Sequence, residues 1–291
     1  MKNFSKAWRK LKDTFRPLIP CGCWQRVRRM RLRVLKFAFK PYVTRQRFGD
    51  VDLSLQISDP MARDWYGMGG DLLTEIGLMR TSQLKAGARI FNVGAHQCVV
   101  ALQLAHEVGS TGLVVAVEAN PHNVPIAVEN RRLNEAQNIR VENAVIASRA
   151  GQLLFSNDWD GQVVGGGQCM VPAVTIDGLM ERYGRPHVLY IDVEGYECEV
   201  LAGATLALRD IPDLFIEVHA GMGLEEFGGS LKKLLGFLSV DDYELFAIRP
   251  ARTRGDRDLF CAFDEYLDWI QERFYLVALN KTTFVPGRLS F

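Results

Sequence analysis

The sequence predicts an α/β protein with a doubly wound sheet. Between residues 89 and 279, apolar runs of strand length alternate with segments of helix length. Several of the runs are continuously apolar, as in strands that helices cover on both faces. This alternation predicts parallel strands connected by helices, with ligands bound beyond the carboxyl ends of the strands.

Residues 89–121 form the unit around which the chain is organised. Residues 90–93 predict a strand, Gly94 follows at its carboxyl end, and residues 99–105 have the apolar spacing of a buried helix face. A second apolar strand over 113–117 ends in Glu118. We therefore predict one βαβ unit whose first turn and second strand end hold a ligand.

The turn chemistry narrows the choice of ligand. A glycine lets a ligand approach the backbone and, we expect, leaves N–H groups free to bind it. Glu118 lies 24 residues after Gly94 and can accept hydrogen bonds from both hydroxyls of a ribose. His96 occupies the second glycine position of a dinucleotide fingerprint, which argues against NAD. The pattern favours a ligand with a ribose and no phosphates, such as S-adenosylmethionine (AdoMet); an ordinary turn with a glycine corner is the alternative.

The remaining elements follow in order. A helix is predicted over 71–80, and Asn120 is expected to cap the helix after the second strand, with Pro121 in its first turn. Further strands are predicted over 139–145, 187–191, 214–218, 244–248 and 275–279, further helices near Asp177 and over 231–238 and 263–274, and a hairpin with arms 151–155 and 168–174. The loop between these arms could close over a substrate through Trp159 and Asp160, or be a plain hairpin tip.

Charge divides the chain near residue 50. The 291 residues carry a net charge of +1, but residues 1–50 hold 15 of the 35 Lys and Arg residues and only two of the 34 acids. Apolar residues recur at helical spacing in 4–18 and 24–40, which predicts a basic amphipathic helical extension over 1–50, ahead of the α/β domain over 51–291. Residues 1–40 fit an anionic membrane surface or packing on the domain, with nucleic acid less favoured.

Cysteine usage and hydropathy indicate the compartment. The six cysteines form no C-x-x-C pair and no His-rich cluster, so we expect reduced thiols and no metal site. The chain has no run of 18 apolar residues, and charges interrupt the apolar stretches of the N-terminus, unlike those of a secretory signal. These features predict a cytoplasmic protein, peripheral at the inner membrane face where the extension binds anionic lipid.

Polar residues collect at the carboxyl ends of four predicted strands: Asn92, Glu118, Asp192, Glu194, Glu217 and His219. Acids at one sheet edge either face a cation, such as a sulfonium or a metal, or are neutralised by arginines or backbone N–H groups. Methyl transfer from a sulfonium to a hydroxyl also requires a base.

The roles of individual side chains have alternatives. Asp192 and Glu194 share one face if the strand stays extended between them; otherwise Asp192 caps the next helix and Glu194 pairs with a lysine. His219, two residues beyond Glu217, is a base, a substrate hydrogen-bond donor or a structural histidine. His96 is expected to contact the ligand through its backbone.

Five segments, in this order, carry a family resemblance: NVGAH at 92–96, VEANP at 117–121, VTIDGL at 174–179, IDVEGYECEVLAGA at 191–204 and IEVH at 216–219. They resemble the FkbM-type AdoMet-dependent methyltransferases. The resemblance spans roughly residues 85–250 and implies a class I Rossmann-like, mostly parallel sheet. It also implies methyl transfer, mostly to oxygen and often on a sugar, glycan or natural-product hydroxyl.

The resemblance also implies site residues. Asn92, Gly94 and Ala95 would line the methionine and ribose side of AdoMet. Glu118 would hold the ribose hydroxyls, and Asn120 would contact the adenine side. Asp192 and Glu194 would face the reacting centre, with Glu217 and His219 at the next strand end.

The first motif departs from the family pattern D-x-G-A-N-x-G. Here Asn92 replaces the acid, His96 the asparagine and Cys98 the glycine. Asn92 can still form hydrogen bonds but cannot balance the charge of the methionine ammonium. Cys98 adds a side chain where the backbone is expected to approach the ligand.

Three functions remain open from the sequence. The first is an AdoMet-dependent O-methyltransferase with Asp192 or His219 as the base. The second is a noncatalytic methyltransferase-fold binding module tethered through its basic N-terminal arm. The third, an NAD-dependent oxidoreductase, is disfavoured by the missing second glycine.

Overall fold

A computed structural model of the chain describes residues 39–155, 169–249, 259–263 and 273–286. The predicted helix over 4–18, nearly all of that over 24–40, the loop with Trp159 and Asp160, and most of the predicted helix over 263–274 lie outside the described residues. In the part of the chain that the structure describes, each helix is too short or too polar to cross a bilayer.

The structure contains thirteen strands in its described ranges. They are β1 (Tyr42–Phe48), β2 (Val51–Ile57), β3 (Arg89–Val93), β4 (Leu113–Glu118), β5 (Ile139–Asn143), β6 (Val145–Ile146), β7 (Gly151–Phe155), β8 (Cys169–Val174), β9 (Val188–Ile191), β10 (Asp213–Val218), β11 (Tyr243–Arg249), β12 (Leu259–Ala262) and β13 (Phe274–Asn280). The α-helices are α1 (Pro60–Tyr66), α2 (Thr74–Met79), α3 (Val99–Val108), α4 (Asn123–Leu133), α5 (Ile176–Tyr183), α6 (Glu197–Ala202) and α7 (Leu231–Leu235).

Eight of these strands form one sheet in the order β12-β11-β13-β10-β9-β3-β4-β5. The pairs from β10 to β5 are parallel, and β13 runs antiparallel to both β10 and β11. The chain leaves β3 toward β5 on one side and then returns to build β9 and β10 on the other. Polar residues at the carboxyl ends of β3, β4, β9 and β10 therefore meet at one edge. The predicted doubly wound, mostly parallel α/β sheet is confirmed.

Alternating residues of the central strands supply two cores, one on each face of the sheet. Ile90, Val114 and Ala116 pack in the core that contains α3 and α2 residues. Phe91 and Val115 pack in the other, with residues of α5, α6 and α7. Because both faces are covered, every position of β4 after the first is buried. The strand is continuously apolar because helices cover both faces of the sheet, as the sequence predicted.

Several element boundaries differ from those predicted. The helix after β4 begins at Asn123 rather than at residue 121, because Asn120 Oδ1 accepts the N–H of His122 and closes a local turn. The predicted strand 139–145 divides at Ala144, and Val145 pairs with β8 in a separate three-stranded sheet, β6-β8-β7. The helices predicted over 71–80 and 231–238 are shorter, Thr74–Met79 and Leu231–Leu235.

The β1–β2 hairpin runs across residue 50, so the folded part of the chain includes residues ahead of the predicted division; the two-domain division itself stays a prediction. Two asparagines, one within α4 and one directly after its last residue, form hydrogen bonds to the backbone of β2. Asn130 Oδ1 accepts Gln56 N–H at 2.7 Å, and Asn134 accepts the N–H of Ser54 at 2.9 Å. Asn130 also donates to the carbonyl of Gln97 at 2.9 Å, which links the hairpin to the start of α3.

Substitution of Asn130 tests whether its hydrogen bonds attach the β1–β2 hairpin to the rest of the fold. Asn130 is buried, so Asn130→Ala leaves a backbone donor and a backbone acceptor without their partner. We expect the free energy of unfolding to fall by about 2 kcal/mol, measured by urea denaturation. Val128→Ala, an exposed position on the same helix, is the control and should cost much less. Equal effects of the two substitutions would contradict this role of Asn130.

Candidate active site

A cleft lies at the carboxyl ends of β3, β4 and β9. It encloses about 1000 Å³ of space between protein atoms, including its open mouth. Eight of the ten predicted site residues line it: Asn92, Gly94, Ala95, His96, Glu118, Asn120, Asp192 and Glu194. Glu217 and His219 lie behind the wall formed by Asp192 and Glu194, as their contacts with these acids show.

The turn after β3 requires a glycine because the chain that follows β9 packs directly against it. Gly94 has φ +83°, and a Cβ at this position would come within 1.7 Å of the Asp192 carbonyl oxygen. The N–H groups of Gly94 and Ala95 both donate to the carbonyl of Val117 at 2.9 Å. The expectation that this turn leaves N–H groups free for a ligand is therefore wrong, because the neighbouring strand end uses them.

Glu118 is the acceptor that closes this turn. Its Oε2 accepts the N–H of His96 at 2.7 Å, and its Oε1 accepts the N–H of Asn120 at 2.8 Å and the amide of Asn123 at 3.2 Å. Burial raises the pKa of Glu118, and the hydrogen bonds from Asn120, Asn123 and His96 oppose that rise. A carboxylate offers about four acceptor positions, so Glu118 retains capacity for a hydroxyl in the cleft.

Asn92 brings an unused acceptor to the cleft. The residue is 1% exposed, and its Oδ1 has no hydrogen-bond partner among the described residues. A buried amide oxygen without a partner costs about 1–3 kcal/mol, so an N–H donor from a ligand would relieve that cost.

His96 and Cys98, the two other departures from the family pattern in the first motif, both have a positive φ. His96 has φ +47° and Cys98 has φ +71°, a region in which histidine and asparagine are tolerated better than most residues. Cys98 packs in the core with α3 rather than lining the cleft, so its side chain does not obstruct a ligand. Burial raises the pKa of Cys98 to about 12, which keeps its thiol neutral.

His96 contacts aromatic residues from α1. Tyr66 Oη lies 3.1 Å from His96 Nδ1, and the Trp65 ring centroid is 5.2 Å from the imidazole. Burial lowers the pKa of His96 to about 4, so the ring is neutral near pH 7. Trp65 and Tyr66 both line the cleft, and Trp65 is 53% exposed at its mouth.

Asp192 and Glu194 reach the cleft through a turn, not along an extended strand. β9 ends at Ile191, and Glu194 has φ +51° ahead of Gly195 at φ +103°. The expected extended geometry is therefore wrong, although both carboxylates line the cleft. Contact with His219 lowers the pKa of Glu194, which keeps this half-exposed carboxylate ionised.

Behind this turn, a buried carboxylate fixes His219. Glu197 Oε1 lies 2.7 Å from His219 Nδ1 and accepts the N–H of Gly195 at 3.0 Å. Burial alone would lower the pKa of His219, but Glu194 and Glu197 outweigh burial and raise that pKa to about 10. An imidazole that is already protonated at neutral pH cannot accept a proton, so the geometry disfavours His219 as the base.

Glu217 completes the acidic edge. Its Oε1 lies 2.9 Å from Arg273 Nη1 and 3.7 Å from His219 Nε2. Burial and the negative charges of Glu217 and Glu194 raise the pKa of Asp192 well above its usual value. Burial also raises the pKa of Glu217, and the charge of Arg273 opposes the rise. These two carboxyls therefore compete for a proton, while Glu194 stays charged.

Sequence reasoning did not single out Glu197, Trp65 or Tyr66. Glu197 is fully buried at the start of α6. Acidic residues are common at helix N-termini because they interact favourably with the helix dipole, so the sequence offered no reason to assign Glu197 another role. Trp65 and Tyr66 reach His96 across about thirty residues of chain. Contacts between residues so far apart leave no mark on local periodicity.

A comparison with family models gives a match that covers most residues of this cleft. The model described as the methyltransferase FkbM domain matches residues 92–275, more than half of the chain. The chain belongs to the FkbM methyltransferase family. The match begins at Asn92 and includes each predicted catalytic and cofactor-binding residue. The predicted family is thus confirmed, and the matched methyltransferase domain has AdoMet as its cofactor.

Known relatives are distant. Hexuronic acid methyltransferase AglP of Haloferax volcanii is 28% identical over 138 residues, which are 45% of this chain and 54% of AglP. The chain thus aligns with about half the length of this relative.

Two solved structures have similar folds. Methyltransferase FkbM of Methylobacillus flagellatus is 17% identical, with 65% of this chain and 43% of that chain covered and a TM-score of 0.44. Precorrin-6y C5,15-methyltransferase of Geobacter metallireducens is 13% identical, with 71% and 87% covered and a TM-score of 0.44.

The cleft of this FkbM chain fits AdoMet by its donor and acceptor chemistry. Asn92 Oδ1 offers an unsatisfied acceptor to an ammonium group, and Glu118 has acceptor capacity for ribose hydroxyls. Acidic Asp192 and Glu194 in the same cleft suit a positively charged sulfonium. The carbonyl of Val117 and the carboxylate of Glu118 already accept the N–H groups of the turn after β3. AdoMet binding therefore depends on the side chains that line the cleft.

Asn92 offers a test that separates binding from folding. Asn92→Leu removes the unsatisfied oxygen while keeping the side chain's approximate volume, so we expect unchanged or higher stability toward urea. We expect AdoMet affinity to fall at least tenfold, because a hydrogen bond to a charged group is lost. Isothermal titration calorimetry measures the affinity. Unchanged AdoMet affinity in a folded variant would exclude Asn92 as a cofactor contact.

Proposed function

We propose that this FkbM methyltransferase transfers the methyl group of AdoMet to a hydroxyl oxygen of a sugar, glycan or natural-product acceptor. The observation that carries the proposal is the presence of Asp192 and Glu194 in the same cleft as Asn92, Gly94 and Glu118. Carboxylates are suited to take a proton from an attacking hydroxyl. The relative named as a hexuronic acid methyltransferase supports a sugar acid as the first acceptor to examine.

In this proposal the cleft has two sides. Asn92, Gly94, Ala95 and Glu118, with Asn120 toward the adenine, hold the cofactor, and His96 lies between the sides. AdoMet supplies the methyl group: the acceptor oxygen bonds to the methyl carbon, the carbon–sulfur bond breaks with its electron pair on sulfur, and the hydroxyl loses its proton.

We assign Asp192 as the base that accepts the proton of the acceptor hydroxyl. Its carboxyl lines the cleft, and burial together with the neighbouring charges of Glu217 and Glu194 raises its pKa, so its ionised form is a stronger base than an ordinary aspartate. Glu194 remains ionised and attracts positive charge at the reacting centre. Glu217 and His219 act through these two residues: His219 holds Glu194 by a contact of 3.3 Å, and the negative charge of Glu217 raises the pKa of Asp192.

Replacement of Asp192 tests the assignment. We expect Asp192→Asn to lower kcat about 100-fold or more, while the Kd for AdoMet changes little. The assay follows transfer of the labelled methyl group of AdoMet to a hexuronic acid glycoside, with a neutral hexose glycoside in parallel. Asp241→Asn, a change of the same kind at an exposed position, is the control.

The chemical nature of the product provides a second criterion. A methyl ether resists mild alkali, whereas a methyl ester formed on the acceptor's carboxylate is hydrolysed. An alkali-labile product, or full activity of Asp192→Asn, would refute the proposed transfer to a hydroxyl with Asp192 as base.

We further propose that Trp65 contacts the acceptor. Its exposed ring stands at the mouth of the cleft beside His96, and a flat aromatic face packs well against the apolar face of a sugar. Trp65→Ala should raise KM for the acceptor roughly tenfold, equivalent to about 1.4 kcal/mol, and leave the Kd for AdoMet unchanged. Val43→Ala, exposed in the same N-terminal part, should change neither. A normal acceptor KM in Trp65→Ala would exclude this contact.

The basic extension adds a separate proposal about location. Residues 1–40 lie almost entirely outside the described residues, so binding to an anionic membrane surface depends on their charge and apolar spacing alone. Their excess of Lys and Arg would hold a cytoplasmic enzyme at such a surface, with an attraction that weakens as salt increases. The basic charge is the sole support for a nucleic-acid partner, which remains the less favoured alternative.

A further inference from the structure

Three side chains at the acidic edge converge on one point. One ligand atom each from Asp192, Glu194 and His219 lies within 4.8 Å of the other two. The residues come from two neighbouring strand ends, those of β9 and β10, so the sheet itself fixes their separation. Two carboxylates and an imidazole are a common ligand set for divalent cations.

The state of His219 is an independent observation. The residue is 1% exposed, and its Nε2 has no aligned hydrogen-bond partner among the described residues. Nε2 faces the acids, 3.3 Å from Glu194 Oε2 and 3.7 Å from Glu217 Oε1. A buried polar nitrogen without an aligned partner is costly, and the two carboxylates that it faces attract positive charge to this point, either the proton of Nε2 or a metal cation in its place.

The other side of the ring has the support that a metal-binding histidine requires. Glu197 Oε1 lies 2.7 Å from Nδ1, and a carboxylate in this position fixes the tautomer in which Nε2 is free to coordinate. Glu197 is itself fully buried and held by the N–H of Gly195. The orientation of the imidazole is therefore determined before any cation arrives.

We propose that Asp192, Glu194 and His219 form a binding site for a divalent metal cation of the Mn²⁺ or Zn²⁺ type. Metal–ligand bonds of about 2.1 Å place neighbouring ligand atoms about 3.0 Å apart and opposite ones about 4.2 Å apart. The observed separations, 3.3 Å and at most 4.8 Å, require only small side-chain movements. Arg273 already pairs with Glu217 at 2.9 Å, so Asp192 and Glu194 provide the charge for the cation, which displaces the proton on Nε2.

This inference deepens the proposed function and rests on it for its catalytic meaning. Asp192 and Glu194 line the cleft, so a cation between them would be able to bind an acceptor oxygen in that cleft. Such a cation lowers the pKa of a bound hydroxyl and orients it. Acceptors with two adjacent oxygens, as in a vicinal diol or a hydroxy acid, would then be preferred because both oxygens can coordinate.

The test measures Mn²⁺ binding without AdoMet or acceptor. The full chain is treated with EDTA, desalted and titrated with Mn²⁺, and the electron paramagnetic resonance signal of free Mn²⁺ gives the bound fraction. We expect one site per chain, displaced by Zn²⁺. Pulsed measurements on the bound Mn²⁺ should detect a directly coordinated ¹⁴N, which a purely acidic surface site does not provide.

Two variants and a control complete the experiment. Glu194→Gln, at a half-exposed position, and His219→Gln should each weaken Mn²⁺ binding at least tenfold, and His219→Gln should remove the ¹⁴N signal. Glu226→Gln removes the same charge from an exposed position outside the cluster and should bind Mn²⁺ like the unaltered chain. Circular dichroism establishes that each variant is folded; Glu194→Gln and the ¹⁴N signal of the unaltered chain remain decisive if His219→Gln does not fold.

The outcomes separate this inference from the proposed function. No Mn²⁺ binding below about 1 mM, bound Mn²⁺ without a ¹⁴N signal, or unchanged binding in folded Glu194→Gln would overturn the metal site, even in a chain that binds AdoMet and transfers methyl groups. A chain that binds Mn²⁺ with the expected signal but methylates no hydroxyl would keep the site and refute the function.

Discussion

Two buried carboxylates hold the carboxyl edge of this sheet together. Glu118 accepts N–H groups from the turns after β3 and β4, and Glu197 joins the turn after β9 to His219 after β10. Each acid thus connects two adjacent strand ends. Because a buried carboxylate requires several donors, the loops that supply these donors have little freedom to rearrange. The cleft between them is consequently formed before a ligand binds.

The two sides of the cleft differ in charge. On the Glu118 side, backbone and amide N–H groups satisfy one carboxylate, and His96 is neutral. On the Asp192 side, carboxyls outnumber the nearby cations that the structure describes, His219 and Arg273. This imbalance attracts positive charge, whether it belongs to a sulfonium, a metal or both. It also explains why the acids at this edge have unlike protonation behaviour: Glu194 is held ionised, whereas the pKa of Asp192 is raised.

Much of this arrangement was predictable because it depends on local pattern. Continuous apolar runs marked the covered strands, and the position of Gly94 and Glu118 at strand ends located the cleft. The N–H groups of the first turn were misjudged, because their acceptor, the carbonyl of Val117, belongs to another strand. The direction of Glu194 was misjudged because a positive φ before Gly195 ends the two-residue alternation of the strand. Cysteine and histidine spacing predicted no metal site, and that criterion does not detect residues that only the sheet brings together, such as the three of the proposed cation site.

The position of α1 has a consequence for how such an enzyme diversifies. Trp65 and Tyr66 reach His96 from a segment that precedes the family match at residue 92, whereas the residues assigned to the methyl donor lie within that match. The proposed acceptor contact of Trp65 and the residues assigned to the cofactor are thus encoded in separate stretches of the gene. Substitution or exchange of the first stretch can give a new acceptor range to an unaltered methyl-transfer core.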